Sequence, residues 1–254
     1  MRNIHHPPQV YFILEGGSEI SYNLVRLFAS REGSQVITTS PDPESELSLL
    51  ILQESYPNIE ILRLDVSSEE SIQSLADILP ESMKNGVDVF ISNPGLPHLF
   101  QTTFETTREQ WISHYAYYVL GPLAIFQIIY PYLKHKDTRK AVFLSSIAGS
   151  IGEFVPAPCS PFNQLTAALN FSVKQLSVEL DDEEFTVVAV YPGLVGTPET
   201  ISAINKLDDT MIEDMASFFV TAEEAGIQVV DFVDKMGREL NSKFMNSNGN
   251  ELVW

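Results

Sequence analysis

The sequence predicts a single α/β domain of the doubly wound, Rossmann type, with a parallel sheet of about seven strands and helices on both faces. The first observation is that short apolar runs of strand length alternate with segments of helical length along the whole chain. Such alternation favours parallel strands joined by crossover helices. The second observation is size, because 254 residues with 44% hydrophobic content can form one sizeable core. No repeat or low-complexity linker divides the chain, so residues 1–254 are expected to form one domain.

The apolar runs and helix-start signals locate the elements. Strands are predicted at 10–14, 34–39, 59–64, 87–92, 141–146 and 186–191. Helix starts are marked by capping boxes at Ser67 with Glu70, Thr107 with Gln110 and Thr221 with Glu224. Long helices are expected over 111–134 and 162–180. The irregular segment 194–219 is predicted to overhang the carboxyl edge of the sheet as a mobile lid.

Composition and charge exclude several classes of function. Fifteen basic against 34 acidic side chains give a net charge of −19, which repels nucleic acid and anionic membrane surfaces. The one cysteine, Cys159, excludes an internal disulfide. His5 and His6 form an isolated pair and no Cys/His spacing matches a zinc site, so no metal is expected. The N-terminus lacks the features of a signal or transit peptide, which predicts a cytoplasmic protein.

The segment from the fifth predicted strand into the next helix has the layout of an active site. The strand delivers Ser145 and Ser146 to its carboxyl end, where ligands collect in open α/β sheets. The following helix presents Phe162 and, one turn later, Thr166, and it continues into the run Ala-Ala-Leu-Asn at 167–170. These residues are therefore the candidates for chemistry.

This segment resembles the short-chain dehydrogenase/reductase family, whose signature is a catalytic Ser followed by Tyr-x-x-x-Lys and a similar Ala-Ala-Leu-Asn run. The resemblance covers nearly the whole chain. The segment 145–151 and the ending NSKFMNSNGNELVW are similar to the fungal carbonyl-reductase branch. The resemblance implies that Ser146 is the catalytic serine. It also implies that the catalytic Tyr, Lys and Asn are replaced by Phe162, Thr166 and Tyr118.

These replacements remove the chemistry that the family uses. Phe162 has no proton to give to a carbonyl oxygen. Thr166 has no charge with which to lower the pKa of a neighbouring tyrosine from about 10. Loss of a positioned general acid typically costs on the order of a hundred- to ten-thousand-fold in rate.

The resemblance also implies a set of cofactor-binding positions. Asp65 and Val66 correspond to the segment that meets the adenine, and Asn93 and Gly95 lie in the loop after the fourth strand. Pro192, Gly193 and Thr197 correspond to the loop that meets the nicotinamide.

The first turn departs most from a dinucleotide site. Glu15, Glu19 and Ser21 stand at the three glycine positions of the family's Gly-x-x-x-Gly-x-Gly turn. A carboxylate facing the pyrophosphate opposes it by up to ~4 kcal/mol at ~4 Å. The favoured interpretation is that Ser18 and Glu19 cap their own helix and fill the anion site with protein. Dinucleotide binding is thus expected to be absent or weak, with NAD(P) as the cofactor if the family activity persists. The second-strand exit does not distinguish NAD from NADP.

Three functions remain open from the sequence. The first is a degenerate family member without oxidoreductase activity, acting as a binding or scaffolding subunit. The second is an NAD(P)-dependent carbonyl reductase or alcohol dehydrogenase that uses Ser146 with water or another acid. The third is a lyase or hydrolase that uses the pocket without dinucleotide. His98 and His114 could join Ser146 in nucleophilic catalysis, but no motif surrounds them, and surface or packing roles are favoured.

The two long helices predict self-association. Helices 111–134 and 162–180 carry more apolar side chains than one sheet face buries, and the corresponding helices pair across a two-fold axis in family members. A homodimer or larger homo-oligomer is expected, with Ile125 among the outward-facing residues.

Overall fold

A mostly parallel sheet forms the centre of the molecule in a computed structural model that describes residues 8–93, 101–154, 159–197, 200–201 and 219–254. The strands are β1 (Val10–Ile13), β2 (Gln35–Ser40), β3 (Ile59–Arg63), β4 (Val89–Ser92), β5 (Lys140–Leu144), β6 (Thr186–Tyr191), β7 (Leu194–Val195), β8 (Phe219–Val220), β9 (Phe244–Asn246) and β10 (Glu251–Leu252). Within the described residues the main sheet has 8 strands in the order β10-β9-β6-β5-β4-β1-β2-β3. All neighbours pair in parallel except β10, which runs antiparallel to β9. The predicted fold class is confirmed. The antiparallel strand β10 at the edge of the sheet is not among the predicted strands.

Helices connect the strands as crossovers. They are α1 (Glu19–Ala29), α2 (Leu47–Ser55), α3 (Glu69–Ile78), α4 (Arg108–Tyr115), α5 (Gly121–Lys134), α6 (Ser160–Glu179) and α7 (Ala222–Lys235). A stretch of π-helix, Ala116–Leu120, joins α4 to α5 and is called the π segment below.

Two of the three predicted capping boxes are present. Thr107 and Thr221 each cap their helix through reciprocal hydrogen bonds. The predicted box at Ser67 is wrong, because Ser68 caps α3 by accepting the Ser71 N–H at 3.2 Å. The Ser67 hydroxyl instead donates to the Asp65 carboxylate at 2.6 Å, a local turn that competes with capping.

Both faces of the sheet are buried, as parallel sheets require. Phe12, Phe90 and Phe143 lie in the core on the face that carries α3, α5 and α6. Alternate strand residues such as Ile13 and Val142 lie in the core on the face that carries α1 and α7. The helices therefore hold the carboxyl ends of the strands at one fixed edge.

The continuous helical stretch Arg108–Lys134 is long and apolar enough to cross a membrane, with a mean hydropathy of 1.3 over its most apolar window, of which 44% is buried in the fold. In this structure Ile125, Ile129 and Leu133 are fully buried against the sheet. The prediction that Ile125 faces outward is wrong, because the π segment and α5 turn this row of side chains toward the core.

The ends of the predicted lid lie side by side. β7 and β8 pair in parallel, Leu194 with Phe219 and Val195 with Val220. Residues 198–199 and 202–218 lie outside the described residues, so the mobility of the lid stays a prediction.

Candidate functional site

The crevice of this fold opens between β1 and β4. β1 pairs with β2 on one side and with β4 on the other, so the direction of the strand order reverses there. Open α/β sheets bind ligands at such switch points, beyond the carboxyl ends of the strands. Glu15 follows β1 and Asn93 follows β4, which puts both residues at the crevice.

The turn after β1 packs closely on β2 and the loop that follows it. Glu15 has a φ of 53°, the left-handed region that favours glycine. A Cβ on Gly16 would lie 2.2 Å from Thr38 Oγ1, and a Cβ on Gly17 would lie 2.5 Å from Glu46 Oε2. These two glycines therefore allow the turn to pack on protein atoms, one of which belongs to a carboxylate.

Asn93 holds the turn from the opposite side of the crevice. Its Nδ2 donates to Ser18 Oγ at 3.0 Å and to Ser21 Oγ at 3.1 Å. Ser21 is fully buried and donates to the Leu14 carbonyl at 3.0 Å, so its hydroxyl is satisfied at the third glycine position. The prediction that Ser18 caps α1 is wrong, because its side chain makes no capping hydrogen bond.

Glu15 is bonded to the helix across the crevice. The Tyr117 hydroxyl, in the π segment, donates to the Glu15 carboxylate. Burial raises the pKa of Glu15 to about 7, the Tyr117 hydrogen bond partly offsets that rise, and the charge of Asp65 adds to it. Burial and the adjacent Glu15 charge raise the pKa of Tyr117, so this hydroxyl keeps its proton. Glu19, by contrast, is exposed in the first turn of α1.

Ser146 lies where the sequence places it. It follows β5 and accepts the Ala148 N–H at 3.1 Å, which caps the short 3-10 turn Ile147–Gly149. A Cβ on Gly149 would lie 2.5 Å from the carbonyl carbon of Thr166, so this turn rests directly on α6. The structure thus brings the Ser146 segment and the 166 position together.

The positions that face Ser146 in the family pattern have no acid chemistry here. Thr166 is buried, and its Oγ1 lies 2.8 Å from the Phe162 carbonyl and 3.1 Å from the Asn163 carbonyl. Its hydroxyl therefore donates back into its own helix. Phe162 is half-buried in the first turn of α6.

Tyr118, which the resemblance puts at the position of the catalytic Asn, is buried in the π segment. Its ring lies edge-on to Tyr117 at 4.8 Å between centroids and stacks with His114 at 6.2 Å. Burial and the charge of Glu15 raise the pKa of Tyr118, which makes its hydroxyl a poor proton donor. π-Helical stretches are frequent at functional sites, and this one carries both crevice tyrosines. His114 contacts Tyr118 and its own helix, with Nδ1 2.8 Å from the Gln110 carbonyl, so it fills a packing role.

Asp65 and Val66 lie at the exit of β3, beside the start of α5. The Asp65 carboxylate is exposed and accepts the Ser67 N–H at 2.8 Å. Val66 is buried, and a Cβ on Gly121 would lie 2.3 Å from its carbonyl oxygen. Only a glycine at 121 lets α5 approach the strand exit this closely.

The remaining predicted cofactor positions follow β6. Pro192 is buried and Gly193 has a φ of 98°, which turns the chain into β7. Thr197 is buried, and its Oγ1 accepts the Thr200 N–H at 3.1 Å. Gly95 and His98 lie outside the described residues. In the part of the chain that the structure describes, no group of three His, Cys, Asp or Glu side chains is arranged to hold a metal ion.

Two side chains that contact the first turn are not predicted from the sequence. Tyr117 binds Glu15 across 102 residues of sequence, and the Glu46 carboxylate lies against Gly17. Neither contact has a local sequence signal. The nearest indication is the pair Tyr117-Tyr118 itself, because one of two adjacent helical tyrosines must point away from the position that the family pattern identifies.

Comparison with known proteins agrees with this architecture. The family model described as enoyl-(acyl carrier protein) reductase matches residues 17–229. An uncharacterized oxidoreductase of Saccharomyces cerevisiae is 37% identical over 248 residues, covering 96% of this chain and 97% of that protein. An uncharacterized oxidoreductase of Schizosaccharomyces pombe is 36% identical over 244 residues, covering 95% and 96%. The solved structure of NADPH-bound carbonyl reductase from chicken fatty liver superposes with a TM-score of 0.84 at 21% identity, covering 98% of this chain and all of that one, a likeness that concerns the fold alone.

The chain belongs to the short-chain dehydrogenase/reductase family, whose members are NAD(P)-dependent oxidoreductases. The crevice between β1 and β4, the start of α1 and the exit of β3 lie at the edge of the sheet where the sequence predicts the dinucleotide site. The first turn, however, does not fit a pyrophosphate when Glu15 is ionised, because this carboxylate and that of Glu46 flank it.

Proposed function

We propose that this chain is a ligand-binding member of the short-chain dehydrogenase/reductase family that has lost the family's hydride-transfer activity and acts as a binding or scaffolding subunit. The observation that supports this proposal is the pair Phe162 and Thr166. The Phe162 side chain has no acidic proton, and the Thr166 hydroxyl donates a hydrogen bond to a carbonyl of its own helix. The two groups that deliver and tune the catalytic proton are therefore both missing, and Tyr118 replaces the catalytic Asn.

Ligand binding in this proposal uses the crevice beside the first turn. Two carboxylates at that turn weaken an anionic dinucleotide, so at pH 8 we expect dissociation constants for NADH and NADPH weaker than ~1 mM. A cytoplasmic location, from the N-terminal sequence, stays a prediction.

A second candidate function is supported by the comparisons. Full-length relatives above 30% identity are named oxidoreductases, and the Ser146 position of the family is retained. In this alternative the chain is an NAD(P)-dependent carbonyl reductase or alcohol dehydrogenase, and its proton comes from water or from a group outside the family pattern.

A direct assay distinguishes the two functions. The purified chain is mixed with NADH or NADPH and a panel of aldehydes, ketones and quinones, and the carbonyl-dependent loss of reduced cofactor is followed. We expect no rate above that of the Ser146→Ala variant. A rate in the unmodified chain that Ser146→Ala removes would establish the oxidoreductase and overturn the proposed loss of activity.

A further inference from the structure

The contact between Glu15 and Tyr117 closes the crevice at its switch point. Glu15 belongs to the turn after β1, and Tyr117 belongs to the π segment that leads into the helix between β4 and β5. Their hydrogen bond therefore spans the two sides of the opening between β1 and β4. A ligand that runs along this edge must displace the contact or pass beside it.

The backbone of Glu15 is held in place by hydrogen bonds within and beside the turn. The Glu15 N–H donates to Thr39 Oγ1 at 2.9 Å, and the Glu15 carbonyl accepts the Ser18 N–H at 2.9 Å. Asn93 fixes Ser18 from the neighbouring strand exit. These bonds fix the backbone of Glu15 beside the crevice, and the hydrogen bond from the Tyr117 hydroxyl holds its carboxyl group there.

We propose that Glu15, held by Tyr117, is the residue that controls the affinity of this crevice for anionic ligands: its protonated form admits a pyrophosphate and its ionised form, bonded to Tyr117, excludes one. The ligand class is a nicotinamide dinucleotide or another nucleoside pyrophosphate. This inference rests on the proposed function only in placing such a ligand in the crevice.

Charge and hydrogen bonding act in the same direction. An ionised Glu15 repels the pyrophosphate and also accepts the stronger hydrogen bond from Tyr117, because hydrogen bonds to charged acceptors exceed those to neutral ones. Protonation removes the repulsion and weakens the contact that spans the crevice. Anion affinity must therefore fall as pH rises.

The titratable groups around Glu15 come from each element packed on the turn. They are Tyr117 and Tyr118 in the π segment, Asp65 after β3, Glu46 before α2, Glu19 in α1, and His114 behind Tyr118. The pKa values of both tyrosines are raised, away from neutrality. The pKa of Glu15 is raised to about 7, so the charge of this carboxyl group changes between pH 6 and pH 8.

Calorimetric titration with NAD⁺ at pH 6 and pH 8 tests the inference, since the charge of the NAD⁺ pyrophosphate does not change between these values. If the ligand binds only when Glu15 is protonated, a pKa of about 7 for this group makes binding about tenfold weaker at pH 8 than at pH 6. Glu15→Gln should bind at both pH values with the affinity that the unmodified chain has at pH 6. Glu19→Gln, the matched removal of an exposed acid from the first turn of α1, should keep the tenfold difference.

The variant Tyr117→Phe tests the effect of the Tyr117 hydrogen bond separately from that of the Glu15 charge. Loss of this donor destabilises the ionised carboxyl group, so the fall in affinity should move to higher pH. Carbon-13 NMR of the Glu15 carboxyl in the ligand-free protein should show the same upward shift of its titration.

Three outcomes would overturn the inference: equal affinity of the unmodified chain at both pH values, the same tenfold difference in Glu15→Gln, or no binding by either protein at pH 6. Carbonyl-dependent oxidation of NADH by the unmodified chain would instead overturn the proposed loss of activity and leave this inference standing.

Discussion

At the residue scale, Glu15 shows that the type of amino acid at a position does not by itself determine its charge. A carboxylate in place of a turn glycine predicts permanent repulsion of a pyrophosphate. In the structure the carboxyl group is partly buried and bonded to Tyr117, and its pKa of about 7 makes its charge depend on conditions. Repulsion at this turn is therefore greatest above neutrality.

The stability of the protein should record this titration. The folded-state pKa of Glu15, about 7, lies above the ordinary glutamate pKa of 4.5, so the folded state binds more protons between these pH values. Glu15 therefore makes folding less favourable as pH rises. Relative to the unmodified chain, Glu15→Gln should gain about 2 kcal/mol more unfolding free energy near pH 8 than near pH 5.5. Urea denaturation at both pH values measures the difference. A result for Glu15→Gln that is the same at both pH values would contradict the raised pKa.

At the element scale, the sequence predicts the regular parts of the fold closely. The apolar runs locate β1 to β6 to within two residues, and the reciprocal signals at Thr107 and Thr221 locate two helix starts, because strand pairing and capping depend on local residues. The hairpin of β9 and β10 has only 3 and 2 residues per strand, too short for a period to be seen. The prediction for Ile125 is wrong because its side of α5 packs on the sheet, and the π segment before α5 interrupts the regular helical period from which an outward face is predicted.

In the candidate site, too, some residues can be predicted from the sequence and one contact cannot. Ser146, Phe162 and Thr166 could be predicted because they lie on one strand exit and one helix that follow each other in the chain. The contact of Glu15 with Tyr117 could not, because it joins elements 102 residues apart and depends on how the helix rotates at the π segment.

Helix α6 allows a test of whether Phe162 and Thr166 alone account for the proposed loss of activity. Phe162→Tyr with Thr166→Lys restores a proton donor and its tuning charge. At pH 8 we expect no carbonyl-dependent oxidation of NADH by this double variant, because ionised Glu15 still opposes the cofactor. Adding Glu15→Gln should produce a measurable rate. Circular dichroism would confirm that both variants fold, and activity in the double variant alone would show that the first turn accepts the dinucleotide.

At the scale of the whole molecule, α6 leaves an apolar strip uncovered. Phe171 is 72% exposed and Val178 is 62% exposed, and their spacing of seven residues places them on one face of the helix. Leu120, in the π segment packed beside α6, is 53% exposed. This strip replaces Ile125 as the surface on which we propose that two copies pair.

If two copies pair symmetrically through this strip, the apolar side chains of the strip are removed from water in both copies. Each copy carries a charge of −19, so added salt should strengthen the assembly by screening the repulsion between copies. We expect light scattering at micromolar concentration to give a dimer or larger mass, and Phe171→Asp to give a monomer that keeps its circular dichroism spectrum. Ile227→Asp, at a position on α7 that is 45% exposed on the opposite side of the sheet, should leave the mass unchanged. A monomeric mass for the unmodified chain would show that the strip is not a self-association surface, because two copies that pair through it must give at least the mass of a dimer.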